Sequence, residues 1–131
     1  MKKGGILHPE LSKVIASLGH KDMVVICDAG FPVPREAKRI DLILTKNIPR
    51  FLDTLKLILE ELEVESVIIA KEMREVSPET YEKTKELLKN IPIKEVSHER
   101  FKEISKQAKA IIKTGEFTPY ANIILICGVV F

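Results

Sequence analysis

Short apolar segments alternate with amphipathic ones along most of the chain, and this alternation constrains the fold more than any other feature. Runs rich in β-branched residues, such as Met23 to Cys27 and Ser66 to Ala70, are typical of buried strands. Apolar residues recur every three or four positions from Phe51 to Leu62, which predicts a helix that Asn47 and Pro49 open. Strands that alternate with such helices indicate an α/β domain around a largely parallel sheet.

Helix start and stop signals locate several boundaries. Pro9 close to a start and Gly19 close to an end predict a first helix that ends near His20. The segment from Ser77 to Glu79 predicts an N-cap and an acidic first turn for a helix that runs to about residue 88. Ser97 predicts the cap of a short helix. Further strands are expected at 40–44, 93–96, 109–113 and 123–130.

Length and charge limit the classes of protein to consider. A chain of 131 residues, 45% of them hydrophobic and 31% charged, fits one globular domain that spans 1–131. The 21 Lys and Arg exceed the 19 Asp and Glu by only two, and the lysines are interleaved with glutamates, which argues against a nucleic-acid partner. The longest apolar run, Ile123 to Phe131, is far shorter than the roughly 20 residues that span a bilayer, so no membrane partner is expected.

The two cysteines, Cys27 and Cys127, both lie inside apolar runs, where a free thiol behaves as a small buried hydrophobe. A disulfide between them remains possible from sequence, but two cysteines in 131 residues lack the density of a secreted disulfide scaffold. The spacings of CxxC and of Cys/His metal sites are absent. The expected compartment is therefore the cytoplasm, and no metal site is predicted.

Asp28 is the most informative single residue, because it directly follows a predicted buried strand. Ligands of open α/β sheets bind in the crevice at the carboxyl ends of the strands, where this carboxylate is expected. An alternative is a local turn in which Asp28 accepts the N–H groups of Ala29 and Gly30. Phosphotransfer by a nucleophilic aspartate is disfavoured, because no second acidic residue follows within residues 28–34 to help hold Mg²⁺.

Nucleotide and hydrolase motifs are absent, since the chain has no G-x-G-x-x-G, G-x-x-x-x-G-K-[ST] or G-x-S-x-G.

His20 and His98 fall at predicted element boundaries, where a histidine can give or take a proton, although a cap or surface role explains either one alone. Tyr120 and Asn122 alternate in a segment predicted to be extended, which would point both to one face. The remaining polar groups suit proton transfer and hydroxyl recognition on a small polyol: His20, Asp28, His98, Lys102, Tyr120 and Asn122.

Several segments, taken in order, resemble the D-ribose pyranase family, whose sister group is the fucose mutarotases. Their order, their spacing and the total length fit together, whereas residues 45–95 carry no recognisable motif. The segments that carry the resemblance are Lys3 to Pro9, Gly19 to Asp22, Ile26 to Gly30 with Pro32 and Pro34, His98 with Phe101 and Lys102, Thr114 to Glu116, and Thr118 to Leu125.

The resemblance implies conversion of β-D-ribopyranose to the furanose form without a metal ion or an organic cofactor. In that family the position that matches His20 is the proton donor. Positions that match Asp28 and His98 bind the sugar, as does the segment that matches Tyr120, Ala121 and Asn122, and Lys102 is a further substrate-binding candidate. The family also implies a three-layer α/β/α protomer and a cytoplasmic homodecamer of two stacked pentameric rings.

Three other functions remain open at this point. A mutarotase for fucose or another monosaccharide would share the Asp, Tyr and Asn residues with a pocket built around different hydroxyls. A non-catalytic sugar-binding module would bind ribose without accelerating ring exchange. An oligomeric α/β protein with a purely structural role would do neither.

Overall fold

Five helices and six strands follow one another in the structure, a computed structural model that describes residues 1–131. The helices are α1 (Pro9–Ser17), α2 (Phe51–Glu61), α3 (Lys71–Val76), α4 (Pro78–Leu88) and α5 (His98–Ser105). The strands are β1 (Met23–Cys27), β2 (Arg39–Asp41), β3 (Val64–Ala70), β4 (Ile93–Val96), β5 (Ala110–Lys113) and β6 (Ile123–Cys127).

All six strands form one sheet in the order β2-β5-β1-β6-β3-β4. Strand β5 pairs in parallel with β2 and β1, and β3 pairs in parallel with β4. Strand β6 lies in the centre and is antiparallel to both of its neighbours, β1 and β3. The largely parallel sheet that the sequence predicted is therefore present, with one reversed strand at its centre.

Helices cover both faces of the sheet, which confirms the three-layer α/β/α fold. Alternate residues of β1 belong to two separate cores, because successive strand side chains point to opposite faces. Val24 and Ile26 pack in the larger core with residues of α1, α2 and α4. Val25 and Cys27 pack in the smaller core with Phe101 of α5.

Several elements differ from those that the sequence predicted. The second strand covers only residues 39–41, and the last one ends at Cys127 rather than at residue 130. A short helix, α3, directly follows β3. The sequence did not predict it, because no glycine or proline marks a boundary between the strand and the helix. None of the helices is both long and apolar enough to cross a membrane.

The cysteines lie at opposite ends of the sheet. Cys27 ends β1, whereas the N–H of Cys127 bonds to the backbone oxygen of Asp22, which precedes β1. Both thiols are free and buried, so the disulfide that the sequence left open does not form within the chain. Burial raises the pKa of both thiols, that of Cys127 to about 11.

Candidate active site

The loop after β1 and the residue before β6 are joined at the carboxyl edge of the sheet. The backbone N–H of Asp28 donates to Oδ1 of Asn122 at 2.8 Å, across 94 positions of sequence. The N–H of Gly30 donates to Oδ1 of Asp28 at 3.0 Å, as in the turn that the sequence offered as an alternative. The N–H of Ala29 instead donates to the backbone oxygen of Glu116 at 2.8 Å. These bonds fix the Asp28 carboxylate and the Asn122 amide relative to each other.

The Asp28 carboxylate lies in a partly buried environment that makes its ionisation less favourable. Burial raises the pKa of Asp28 above its ordinary value of 3.8, and the N–H of Gly30 and the neighbouring His98 oppose that rise. A cleft of about 360 Å³ opens beside it and is lined by residues 28–30 and 116–119. A carboxyl group in such a cleft can exchange hydrogen bonds with the hydroxyls of a small polar ligand.

His98 is held in place from three sides. Its backbone N–H, at the first position of α5, donates to both carboxylate oxygens of Glu72 on α3, at 3.0 and 3.2 Å. Its ring meets the ring of Tyr120 edge-on, with 5.0 Å between centroids, and packs beside Phe31 and Phe101. Ser97 caps the same helix through its hydroxyl, which accepts the N–H of residue 100 at 3.1 Å and confirms the cap that the sequence predicted.

Two buried side-chain atoms in this region have no hydrogen-bond partner within the protein. They are Nδ1 of His98 and Nδ2 of Asn122. Because Oδ1 of Asn122 already accepts the Asp28 N–H, the amide nitrogen is the group of Asn122 that remains free, and it can only donate. Buried polar groups are rarely left unpaired in folded proteins, so each of these atoms calls for a partner from outside the chain.

Tyr120 occupies a turn rather than the extended segment that the sequence predicted. Its φ of 61° lies in the left-handed region, and the N–H of Asn122 donates back to its backbone oxygen at 2.8 Å. The chain has to reverse here, because β6 runs antiparallel to β1 while β5 runs parallel to it. Both side chains still reach the same region, Tyr120 against His98 and Asn122 against Asp28, and Ala121 between them is fully buried.

Contacts from distant elements hold this turn. Ser77 is the N-cap residue of α4, as the sequence predicted, but its hydroxyl donates to the backbone oxygen of Pro119 at 2.7 Å and not to the helix. At the start of the segment, a Cβ on Gly115 would lie only 2.5 Å from the carbonyl oxygen of Ile48 and 2.6 Å from that of Thr45. Only glycine allows the two backbones to approach so closely.

Lys102 lies beside this cluster rather than within it. Its ammonium group pairs with Glu99 at 2.7 Å on the same helix, and it lines a neighbouring groove with residues 32–34. No hydrogen bond or ion pair joins it to Asp28 or Asn122.

His20 lies at the opposite edge of the sheet. Its Nε2 contacts a carboxylate oxygen of Glu65, near the start of β3, at 3.1 Å, and about half of its side-chain surface is exposed. Lys21 pairs with the same carboxylate. Five strand residues at about 3.3 Å each separate the two ends of β1 by roughly 15 Å. Within one chain, His20 therefore cannot touch a ligand held by Asp28 and His98.

Sequence reasoning missed Glu72 and Glu116, both of which support the cluster through long-range hydrogen bonds. Glu72 sits in a helix that was not predicted, and Glu116 lies in a turn whose partners are far away in the sequence. The one signal for Glu116 in the sequence was its place in the segment from Thr114 to Glu116, which carries part of the family resemblance. No group of three or more His, Cys, Asp or Glu side chains has an arrangement that could hold a metal ion.

Comparison with known proteins identifies the relatives of this chain. The sequence profile of the RbsD / FucU transport protein family matches residues 1–130. The chain belongs to this family. This chain is 58% identical to the D-ribose pyranase of Coprothermobacter proteolyticus over 131 residues, which cover both chains completely. The resemblance to D-ribose pyranases that the motifs indicated is confirmed.

Two solved structures place the chain within the RbsD / FucU family. RbsD of Bacillus subtilis complexed with D-ribose has a TM-score of 0.97 and 49% identity, and the match covers 100% of both chains. The fucose mutarotase of Streptococcus pneumoniae in complex with L-fucose has a TM-score of 0.80 and 30% identity over 95% of each chain. The chain is thus more similar to the ribose-bound structure than to the fucose-bound one.

Proposed function

We propose that this protein is a D-ribose pyranase, an isomerase that interconverts the β-pyranose and β-furanose forms of D-ribose. The observation that carries the proposal is the 58% identity to a D-ribose pyranase over the full length of both chains. The furanose product is the form that a ribose kinase phosphorylates. Residues 1–131 act as one domain, which agrees with a single sheet and a family match over residues 1–130.

Ribose is favoured over fucose as the substrate. The solved structure with bound D-ribose matches this chain with a TM-score of 0.97, against 0.80 for the fucose mutarotase with L-fucose. A mutarotase for fucose remains the second candidate, because 30% identity over 95% of both chains relates this protein to that group as well.

The reaction consists of proton transfers that side chains can carry out. Opening the pyranose removes a proton from the anomeric hydroxyl at O1, breaks the bond between C1 and the ring oxygen O5, and gives O5 a proton. Reclosure forms the bond between C1 and O4, removes the O4 proton and returns one to O1. No C–H bond breaks and no electron is lost. Acid-base groups and a site that holds C1 of the open chain near O4 are therefore sufficient.

The cluster at the carboxyl edge supplies the sugar-binding groups. Nδ2 of Asn122 donates to a ribose hydroxyl, and Nδ1 of His98 bonds to another, which gives both buried atoms a partner. The Asp28 carboxylate accepts a hydrogen bond from a ribose hydroxyl in the adjoining cleft. Tyr120 and Ala121 close the site around the sugar.

Lys102 binds the substrate only at the margin of the site. Its pairing with Glu99 and its place in the neighbouring groove keep it away from Asp28, His98 and Asn122.

His20 gives and takes the proton, and it acts from a second copy of the chain. The roughly 15 Å between the two ends of β1 prevents His20 from reaching the Asp28 cluster of its own chain. About half of the His20 side-chain surface is exposed, so the ring is accessible to the cleft of another copy. If each copy gives His20 to the next one, the contact is head-to-tail, and head-to-tail contacts close into rings when the rotation between copies allows it. We take the assembly to be the decameric ring that the family resemblance implies. Two unpaired cysteines suit the reducing cytoplasm.

NMR saturation transfer tests the proposed activity. The exchange rate between the anomeric signals of ribopyranose and ribofuranose is measured with and without the protein, and fucose is examined in parallel. Faster pyranose-furanose exchange of ribose supports the proposal. Faster exchange among the forms of fucose alone would make the protein a fucose mutarotase. Ribose binding by titration with no acceleration would make it a binding module.

A further inference from the structure

Glu116 is a buried carboxylate that the proton transfers do not use. It lies in the segment between β5 and β6, four residues before Tyr120, and its side chain is only 4% exposed. A buried charge is costly unless hydrogen bonds and a counter-charge compensate it. The groups that compensate the charge of Glu116 therefore indicate its role.

Five hydrogen bonds converge on this one carboxylate. Arg50 donates from Nε at 3.2 Å and from Nη2 at 2.7 Å, and the N–H of Phe51, the first residue of α2, donates at 3.1 Å. Thr118 donates its N–H at 3.2 Å and its hydroxyl at 2.9 Å. Burial alone would raise the pKa of Glu116, but these donors lower it to about 2, so the group is charged at any physiological pH.

The backbone of Glu116 connects the same point to the loop after β1. Its carbonyl oxygen accepts the N–H of Ala29 at 2.8 Å, the residue next to Asp28. Its N–H donates to the hydroxyl of Thr114, and that hydroxyl donates to the backbone oxygen of Cys27 at 2.7 Å. One residue thus links the N-terminus of α2, the Asp28 loop and the turn that leads to Tyr120.

The contacts require a carboxylate rather than a group of similar shape. The Glu116 side chain is the acceptor in all five bonds, and only a carboxylate can accept at both of its oxygens. Glutamine has the same size but presents an NH₂ group on one side, which would face the donors of Arg50 or Thr118. The turn would have to move to relieve that conflict.

We propose that Glu116 is a positioning residue for the sugar site, which sets the distance between the Asp28 loop and the turn that carries Tyr120 and Asn122. This inference rests on the proposed function, because the site it positions is the ribose site. A displacement of about 1 Å in a group that orients substrate can cost roughly 100-fold in rate.

The test compares Glu116→Gln with Glu116→Asp, Thr118→Val and the native protein. Calorimetric titration with ribose counts the binding sites and gives their affinity, and NMR saturation transfer gives the exchange rate per site counted. We expect Glu116→Gln to lower the exchange rate per site by about 10- to 100-fold and to weaken ribose binding. Glu116→Asp keeps the charge and should recover part of the loss. Thr118→Val removes one of the five bonds and should lose less than about 10-fold.

Counting sites separates positioning from stability. A glutamate that only stabilised the fold would, on substitution, reduce the number of sites but leave each remaining site with native affinity and rate. Native values per site in Glu116→Gln, or in Thr118→Val if the first variant does not fold, would overturn the inference. Glu10→Gln is the matched control, since Glu10 pairs with Lys38 at 3.5 Å on the surface, and it should keep native values.

The same data distinguish the two proposals. A native protein that binds ribose without accelerating exchange would overturn the proposed activity, and the ribose affinities of the variants would then decide for or against Glu116. A native protein that accelerates exchange, with unaffected variants, would overturn only the role of Glu116.

Discussion

The two edges of the sheet differ in how firmly one chain holds the candidate site residues. At the carboxyl edge, Asp28, His98 and Asn122 are held by hydrogen bonds that cross between elements, and two buried atoms remain for a ligand. At the amino edge, His20 is half exposed and contacts only Glu65. Under the proposed function, one chain supplies the sugar-binding groups, whereas the proton-transfer group comes from another copy.

Removal of His20 should have the largest effect and should fall on catalysis alone. We expect His20→Ala to slow ribose ring exchange by roughly 10²- to 10⁴-fold, the typical contribution of an acid-base group, with ribose affinity changed only slightly. Saturation transfer and calorimetric titration measure the two quantities. His8→Asn is the matched histidine control, because asparagine can replace the cap that His8 provides for α1. Undiminished exchange in His20→Ala would remove the proposed role.

A substitution at the opposite edge should affect binding instead. Asn122→Leu keeps the size but loses the amide that faces the site and leaves the Asp28 N–H without an acceptor. Ribose binding should be abolished, and the unfolding free energy should fall by about 1 to 3 kcal/mol because a buried donor is unpaired. Calorimetry and denaturant titration test this, with the exposed Asn90→Leu as control. Native affinity in Asn122→Leu would contradict the assignment of the site.

The pH dependence of stability should separate the buried carboxylate of Glu116 from the partly buried one of Asp28. Glu116 has a lowered pKa, so its stabilisation is present above pH 4.5 and is lost as the pH falls towards about 2. Asp28 has a raised pKa, so its stabilisation is present below pH 3.8 and is lost as the pH rises through its value in the folded protein.

These opposite signs give opposite results for two amide variants at pH 7. Glu116→Gln should lower the unfolding free energy by roughly 2 kcal/mol, since it loses hydrogen bonds to a charged group, and the loss should vanish near pH 2. Asp28→Asn should not lower it. Melting temperatures recorded from pH 2 to pH 7 decide the matter, and equal losses for both variants at pH 7 would refute the distinction.

Thiol reactivity should show the smallest effect. Cys27 ends β1 at the carboxyl edge and Cys127 ends β6 at the amino edge, and burial raises both pKa values. Neither thiol should react with a thiol reagent until the protein unfolds, and a reductant should leave the melting temperature unchanged. Rapid labelling of Cys127 alone would mean that the amino edge opens more readily than the structure indicates.

Most of the secondary structure could be predicted because its signals are local. The apolar run of β1 and the three- and four-residue spacing in α2 depend only on which face of each element is buried. The direction of β6 could not be predicted in this way, because an apolar run is the same whether its neighbours run parallel or antiparallel to it.

The site was predictable in its residue types more than in its geometry. Asp28 at a strand end is a local signal, as is His98 at an element boundary, and the family resemblance added the sugar-binding roles of His98 and Asn122. The separation of His20 from these residues follows from the length of β1 and the placement of both loops, which only the folded chain shows. The role of Glu116 depends on Arg50 and Phe51, 66 and 65 positions away in sequence, so no local pattern reveals it.

The most direct test asks whether His20 and Asp28 act together from different chains. His20→Ala and Asp28→Asn, each of which the proposed roles predict to be inactive alone, are coexpressed with different affinity tags, and assemblies that carry both tags are purified. If sites form between copies, random pairing joins an intact His20 to an intact Asp28 in about one quarter of them, so ribose exchange should return to about a quarter of the native rate. If each chain held a complete site, the mixed assemblies would stay as inactive as either variant, and the account would be wrong.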